Sequence, residues 1–112
     1  MNLFDQFAQI YASGNYRSHS QAMAAILPAL MKEYKITFNG SKRLLDIACG
    51  EGSFCAEMAK KGWNVTGIDQ SEEMLRLANH QAKNENIAID YKNQDMRFID
   101  FQSEFDLATC WF

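Results

Sequence analysis

The sequence contains few of the residues that build disulfide frameworks, metal centres or membrane spans. Its 112 residues include three cysteines without CxxC spacing and two isolated histidines. An odd cysteine count of this kind favours a reducing compartment over a disulfide scaffold, and we expect no metal site because ligand spacing is missing. The longest apolar stretch, residues 22–31, contains the single proline and is too short to cross a bilayer.

Charge and composition limit the function further. The first residues contain neither a basic region nor a cleavage site, so we expect a cytoplasmic protein with no membrane partner. The formal net charge of −3 argues against nucleic acid as the main partner, since neutralising phosphates requires a surplus of Lys and Arg. A hydrophobic content of 47% predicts a folded chain, and the length allows at most one small domain.

Strand and helix patterns alternate from residue 43 onward, which predicts parallel strands joined by right-handed helical crossovers. Strands are predicted at residues 43–48, 63–68, 87–91 and 105–110, and helices at residues 53–61 and 71–84. Ser71 is a suitable N-cap for the second of these helices, which should bury Leu75, Ala78 and Ala82. Before residue 40 the apolar residues recur at helical spacing, first at Leu3, Phe7 and Ile10 and then over residues 23–34. Pro28 either kinks one helix there or begins a second one.

The most informative segment is residues 44–54, Leu-Leu-Asp-Ile-Ala-Cys-Gly-Glu-Gly-Ser-Phe. An apolar strand ends in a Gly-x-Gly turn, and a small polar residue then opens a helix. Gly50 and Gly52 allow a sharp turn and a close approach of a ligand to the backbone. The helix start points free N–H groups at the same place. This corner is typical of doubly wound nucleotide-binding folds, including dinucleotide-binding ones.

A carboxylate at the end of the second strand makes the pattern more specific. Asp69 follows Gly50 by nineteen residues, the place from which an acidic side chain can accept hydrogen bonds from both hydroxyls of a ribose. The simpler alternative is that Asp69 caps the following helix. Since Ser71 already supplies that cap, we expect Asp69 to bind ribose.

Four segments in order resemble the motifs of the class I S-adenosylmethionine (SAM)-dependent methyltransferases, and together they cover residues 43–112. The first is the glycine corner, with Asp46 near the strand end and Cys49 directly before the glycine pair. The second is Asp-Gln-Ser-Glu-Glu-Met-Leu at residues 69–75, and the third is Asn-Gln-Asp-Met at residues 93–96. The fourth, Phe-Asp-Leu-Ala-Thr-Cys-Trp-Phe at residues 105–112, resembles the fourth motif.

The resemblance implies roles for particular residues. Asp95 would accept from the exocyclic amine of adenine while the N–H of Met96 donates to the ring, and Gln70 and Met74 would bracket the adenine. Ala48 stands where the family usually has glycine, and we expect little harm because the cofactor's amino group needs only a backbone carbonyl there. The full set of expected cofactor-binding residues is Asp46, Ala48, Cys49, Gly50, Gly52, Asp69, Gln70, Met74, Asp95, Met96 and Cys110. No catalytic residue is identified.

These patterns predict an α/β domain with a partial Rossmann-like parallel sheet of order 3-2-1-4, spanning residues 1–112 with a helical cap over residues 1–40. The implied function is that of the cofactor-binding part of a SAM-dependent methyltransferase acting on a small molecule. The alternatives are an NAD(P)-dependent oxidoreductase and a non-catalytic nucleoside-binding or interaction module. Because the sequence stops within the fourth motif, we expect an incomplete domain, self-association through the edge of strand four, or cover of that edge by the cap helices.

Overall fold

The computed structural model describes residues 16–38, 40, 42–101 and 104–111, where helices and strands alternate in one α/β unit. The predicted first helix around Leu3, Phe7 and Ile10 lies outside the described residues. The helices are α1 (Tyr16–Glu33), α2 (Ser53–Lys60), α3 (Glu72–Asn84) and a short 3₁₀ helix (Met96–Phe98), and the strands are β1 (Arg43–Ile47), β2 (Asn64–Asp69), β3 (Asp90–Asn93) and β4 (Leu107–Cys110).

The four strands form one sheet in the order β3-β2-β1-β4, and every neighbouring pair is parallel. The predicted strand order is confirmed. Asp46 of β1 stands opposite Gly67 of β2 on one side and Thr109 of β4 on the other. The carboxyl ends of the strands therefore meet at one edge, next to the segment that we call the glycine loop, residues 48–52.

Two strands begin later in the chain than predicted because other bonds hold their first residues. The N–H of Ile87 donates to the Ala82 carbonyl at 2.9 Å and closes the end of α3, so β3 starts at Asp90 rather than at residue 87. The N–H of Trp63 donates in the same way to the Met58 carbonyl at 3.1 Å. Trp63 therefore precedes β2, and its ring is 6% exposed in the core.

The start of β4 also differs from the prediction. Backbone and side-chain hydrogen bonds join Arg43 to Asp106. The Arg43 N–H donates to the Asp106 carboxylate at 2.9 Å, the Asp106 N–H donates to the Arg43 carbonyl at 2.8 Å, and the Arg43 guanidinium also donates to the carboxylate. Phe105 instead packs edge-on against Phe101, with ring centroids 5.1 Å apart. The regular strand therefore begins at Leu107.

Helix α1 is continuous through Pro28, so the proline does not begin a second helix. Its inner side packs against α2, where Ala24 is fully buried in a cluster with Phe54, Met58 and Val65. Burial of this apolar surface joins the described part of the predicted cap to the domain. Helix α3 is capped by Ser71, whose hydroxyl accepts from the Met74 N–H at 3.2 Å, and its buried residues are those predicted.

Candidate cofactor-binding site

The glycine loop turns through three left-handed backbone positions. The φ angles are +57° at Ala48, +61° at Gly50 and +88° at Gly52. Glycine adopts such angles freely, whereas an L-residue with a Cβ pays about 1–2 kcal/mol. The N–H of Cys49 donates to the Ile68 carbonyl at 2.9 Å and fixes the loop to β2. The loop thus lies at the carboxyl ends of the central strands, where open α/β sheets bind ligands.

A carboxylate occupies the start of helix α2. Gly52 is the N-cap and offers no side-chain acceptor. Glu51 supplies one instead, since its carboxylate accepts from the Ser53 hydroxyl at 2.6 Å and from the Ser53 N–H at 3.3 Å. Residues 48–58 contain no Lys or Arg. An anionic group of a ligand would therefore meet a carboxylate rather than free amides and a cation at this helix end.

Asp69 ties the glycine loop to the end of β2. One carboxylate oxygen accepts from the Gly50 N–H at 2.9 Å, and the other accepts from the Ser71 N–H at 2.8 Å. An ionised carboxylate offers about four lone-pair positions, so each oxygen retains acceptor capacity after these bonds. Ser71 performs the capping of α3. Asp69 therefore has a structural role in the loop and can still accept from ribose hydroxyls.

Asp46 lies on β1 two residues before the glycine loop and is 2% exposed. Its carboxyl accepts from the Thr109 hydroxyl of β4 at 2.8 Å and from the Cys55 thiol of α2 at 3.4 Å. Burial raises the pKa of Asp46 to about 7, although both hydrogen bonds favour the ionised form. One side chain thus joins β1, β4 and α2 next to the glycine loop.

Sequence reasoning missed Tyr91, whose ring reaches from β3 to the glycine loop. Its hydroxyl donates to the Gly52 carbonyl in a long contact of 3.4 Å, and burial raises the pKa of the phenol. A Cβ on Gly67 would lie 2.8 Å from the ring. Gly67 was the available signal, because an isolated glycine within a strand often marks the close approach of another group.

The segment after β3 is held against β2. The Gln94 N–H and the Asn93 side-chain amide both donate to the Asp69 carbonyl, at 3.1 and 3.0 Å. These bonds bring the expected ribose and adenine residues to one edge. The Asp95 carboxylate, however, accepts from the Arg97 N–H at 2.9 Å and the Arg97 Nε at 3.0 Å, and this arginine lowers the pKa of Asp95 to about 2.

The other expected adenine residues differ in exposure. Met74 is half-buried in the first turn of α3, whereas Gln70 is exposed and the Met96 side chain is 52% exposed. Their contact with adenine stays a prediction.

The end of β4 contributes a cysteine and a tryptophan. Cys110 is exposed and pairs in register with Ile47 of β1. Partial desolvation of its thiol, and to a lesser extent the nearby Asp46, raises the pKa of Cys110. Trp111 packs edge-on against Phe54 of α2 with ring centroids 5.4 Å apart. The role of Cys110 at the cofactor stays a prediction.

Two further features, metal ligation and membrane crossing, concern the described ranges. No group of three or more His, Cys, Asp or Glu side chains there is arranged to hold a metal ion. Within the same ranges, no helix is both long and apolar enough for a bilayer crossing.

Known proteins resemble this chain in sequence and in fold. The family model of the methyltransferase domain matches residues 44–112. A Geobacillus sp. protein named as a methyltransferase is 32% identical over 106 residues, covering 95% of this chain and 42% of its own length. The ubiquinone biosynthesis O-methyltransferase of Coxiella burnetii is 37% identical over 79 residues, 70% of this chain and 33% of the relative.

A solved structure shows the same architecture. The SAM-bound amino pentose methyltransferase of Micromonospora echinaspora superposes with a TM-score of 0.72 at 26% identity, covering 92% of this chain and 42% of that one. The chain thus spans less than half the length of the proteins it matches. The family match, the parallel sheet of order β3-β2-β1-β4 and the glycine loop agree with one another. The chain therefore belongs to the class I SAM-dependent methyltransferase family.

Proposed function

We propose that this chain binds SAM at the carboxyl edge of the sheet and forms the cofactor-binding part of a small-molecule methyltransferase. The observation that carries the proposal is the Asp69 carboxylate, which holds the Gly50 N–H at 2.9 Å and keeps acceptor capacity for a ribose. This hydrogen bond joins the glycine loop to the expected ribose acceptor, so the two form one unit. Family membership supports SAM as the nucleoside that this unit binds.

Charge at the glycine loop supports a sulfonium cofactor over a dinucleotide. A pyrophosphate needs free amides and positive charge at the helix start. Here Glu51 accepts from the Ser53 N–H, and Asp46 and Asp69 lie on the other sides of the loop. A cationic ligand is compatible with these carboxylates, whereas a pyrophosphate would be repelled by Glu51. The oxidoreductase alternative therefore has less support.

The other binding residues are assigned from the resemblance and from their positions. The Ala48 carbonyl would accept from the amino group of the cofactor, with Cys49, Gly50 and Gly52 forming the loop around it. Asp95 and the Met96 N–H would contact adenine, which requires the Asp95 carboxylate to share or leave its Arg97 partner. The remaining assigned contacts are those of Gln70, Met74 and Cys110.

Bound SAM supplies an electrophilic methyl group, which is displaced by a nucleophile of the acceptor. The contribution of this chain is to orient the cofactor and to exclude water from it. No general base is assigned, and the catalytic residues stay unknown. A small-molecule acceptor is favoured because the compared relatives are named for ubiquinone biosynthesis and for an amino pentose.

Further parts of the proposal concern assembly and location. We propose one domain over residues 1–112 with residues 1–40 as its helical cap, a cytoplasmic location, and no role for nucleic acid. Among the described residues, β4 pairs with β1 on one side only. Its outer edge can therefore pair with a further strand or with a second copy of the chain.

Isothermal titration of the 112-residue chain with SAM, S-adenosylhomocysteine and NAD in parallel tests the proposed function. We expect both sulfur nucleosides to bind more tightly than NAD, because the helix start carries a carboxylate. Tighter binding of NAD would overturn the proposal and favour the oxidoreductase alternative. Binding of adenosine alone with the same affinity would favour the non-catalytic nucleoside-binding module.

A further inference from the structure

Asp46 is buried in a setting that contains acids and neutral donors. Its two hydrogen-bond donors, Thr109 of β4 and Cys55 of α2, carry no positive charge. The titratable groups that interact with it from the other elements are Cys55 of α2, Asp69 of β2, Tyr91 of β3 and Cys110 of β4. All of these groups are acids, so no cation among the described residues compensates an ionised Asp46.

A carboxyl in this setting exists in two forms near neutral pH. Burial raises the pKa of Asp46 to about 7, and the neighbouring Asp69 acts in the same direction. A cation brought next to the pair would favour the ionised form. The structure therefore holds a carboxyl whose charge can respond to a ligand.

The position of Asp46 determines which charged group of the ligand it can interact with. It precedes Ala48, the first residue of the glycine loop, by two residues, and it accepts a hydrogen bond from Cys55 in the first turn of α2. The glycine loop and the start of α2 form the proposed binding site of the cofactor. The substrate form of that cofactor carries a positive sulfonium. The product, S-adenosylhomocysteine, has a neutral thioether and is otherwise the same molecule. An ionised carboxylate in a desolvated place attracts the first more strongly than the second.

We propose that Asp46 is a specificity-determining residue that distinguishes the sulfonium cofactor from its thioether product by losing its proton when the cofactor binds and regaining it from solvent when the product remains. This inference rests on the proposed function. It adds that the same carboxyl that joins β1, β4 and α2 strengthens binding of the cofactor relative to binding of the product.

A merely structural Asp46 predicts something different. If the carboxyl only joined three elements, its replacement would weaken both ligands by the same factor at every pH. The proposed role instead predicts a change in the ratio of the two dissociation constants. Contributions that the two ligands share cancel in this ratio. They include the ribose, adenine and amino-acid contacts and the titration of the common amino group.

The test is isothermal titration of both ligands into the wild-type chain, Asp46→Asn and Thr109→Val between about pH 5.5 and 8.5, the range around the Asp46 pKa. In the wild type, the product-to-cofactor ratio of dissociation constants should rise by about fivefold or more as pH increases. The ratio should stay flat in Asp46→Asn. In Thr109→Val the rise should shift to higher pH, because a hydrogen bond that favours the ionised carboxylate is lost. Asp90→Asn, which alters an exposed carboxyl, is the control and should match the wild type.

Proton release on binding gives a second measurement. It uses the wild-type chain and therefore does not require Asp46→Asn to fold. Titrations at pH 7 in two buffers of different ionisation enthalpy should show that SAM releases up to about half a proton more than the product does. Binding of both ligands with a flat ratio and equal proton release would overturn this inference and leave the proposed function standing. If neither ligand binds the wild type, the proposed function fails and this inference fails with it.

Discussion

The hydroxyl of Tyr91 occupies the space that a side chain on Gly52 would need. A Cβ built on Gly52 would lie 2.2 Å from the Tyr91 oxygen and 3.0 Å from the Ala78 Cβ. Gly52 is therefore required by the tyrosine as well as by its φ of +88°. Loss of cofactor binding in Gly52→Val would follow from this clash alone, so that variant cannot show that the loop contacts a ligand.

The fit between Tyr91 and Gly67 predicts a measurable coupling. Gly67→Ala should lower the free energy of unfolding by about 1–3 kcal/mol, because its Cβ would lie 2.8 Å from the ring. In a Tyr91→Leu background the same substitution should cost much less. Urea denaturation of the four chains measures the coupling in a double-mutant cycle. Equal costs in both backgrounds would show that the ring does not restrict Gly67.

Ala48 is expected to be less favourable than glycine at its position. Its φ is +57°, so Ala48→Gly should raise the free energy of unfolding by up to about 1 kcal/mol after the greater backbone entropy of glycine is included. The matched control is Ala25→Gly at an exposed position of α1, which should lower the free energy of unfolding by about 0.5–1 kcal/mol. Thermal or urea unfolding checks both signs, and destabilisation by Ala48→Gly would contradict the left-handed geometry.

Burial of Asp46 predicts that stability falls as pH rises. The pKa is about 7 in the folded chain against an ordinary aspartate value of 3.8, so the folded state binds more protons between these values. The free energy of unfolding should therefore decrease from about pH 4 to pH 7 and then level off. Urea midpoints across this range measure the slope, and Asp46→Asn should flatten it. A wild-type chain that gains stability over the same range would show that Asp46 is ionised when folded.

Arg97 controls the charge state of Asp95. The pKa of this carboxyl is about 2, and Arg97→Ala should return it toward the ordinary aspartate value of 3.8. The contribution of the pair to stability should be present above about pH 4 and lost as pH falls toward 2. Carboxyl chemical shifts in NMR spectra give the pKa directly. An unchanged value in Arg97→Ala would mean that the 3.0 Å contact from the Arg97 Nε does not form in solution.

The sequence was sufficient to predict the strand order, the glycine corner and the capped helix α3, because each depends on local patterns. It did not predict the later starts of β2 and β3, since these depend on bonds that close the preceding helices, such as that from Trp63 to Met58. Neither the Tyr91 ring nor the Asp95–Arg97 pair could be placed from spacing alone. Both are side-chain arrangements that the resemblance did not contain.

The central claim is that cofactor binds at the unit formed by Asp69 and the glycine loop, and titration of S-adenosylhomocysteine into matched variants tests it most directly. Asp69→Ala should weaken binding by about 1.5–3 kcal/mol, roughly 10- to 150-fold, because a charged acceptor is lost. Asp69→Glu should do less damage, and Asp90→Ala, which removes an exposed carboxylate of β3, should bind as the wild type does. An Asp69→Ala chain that stays folded by circular dichroism and binds with wild-type affinity would contradict the account.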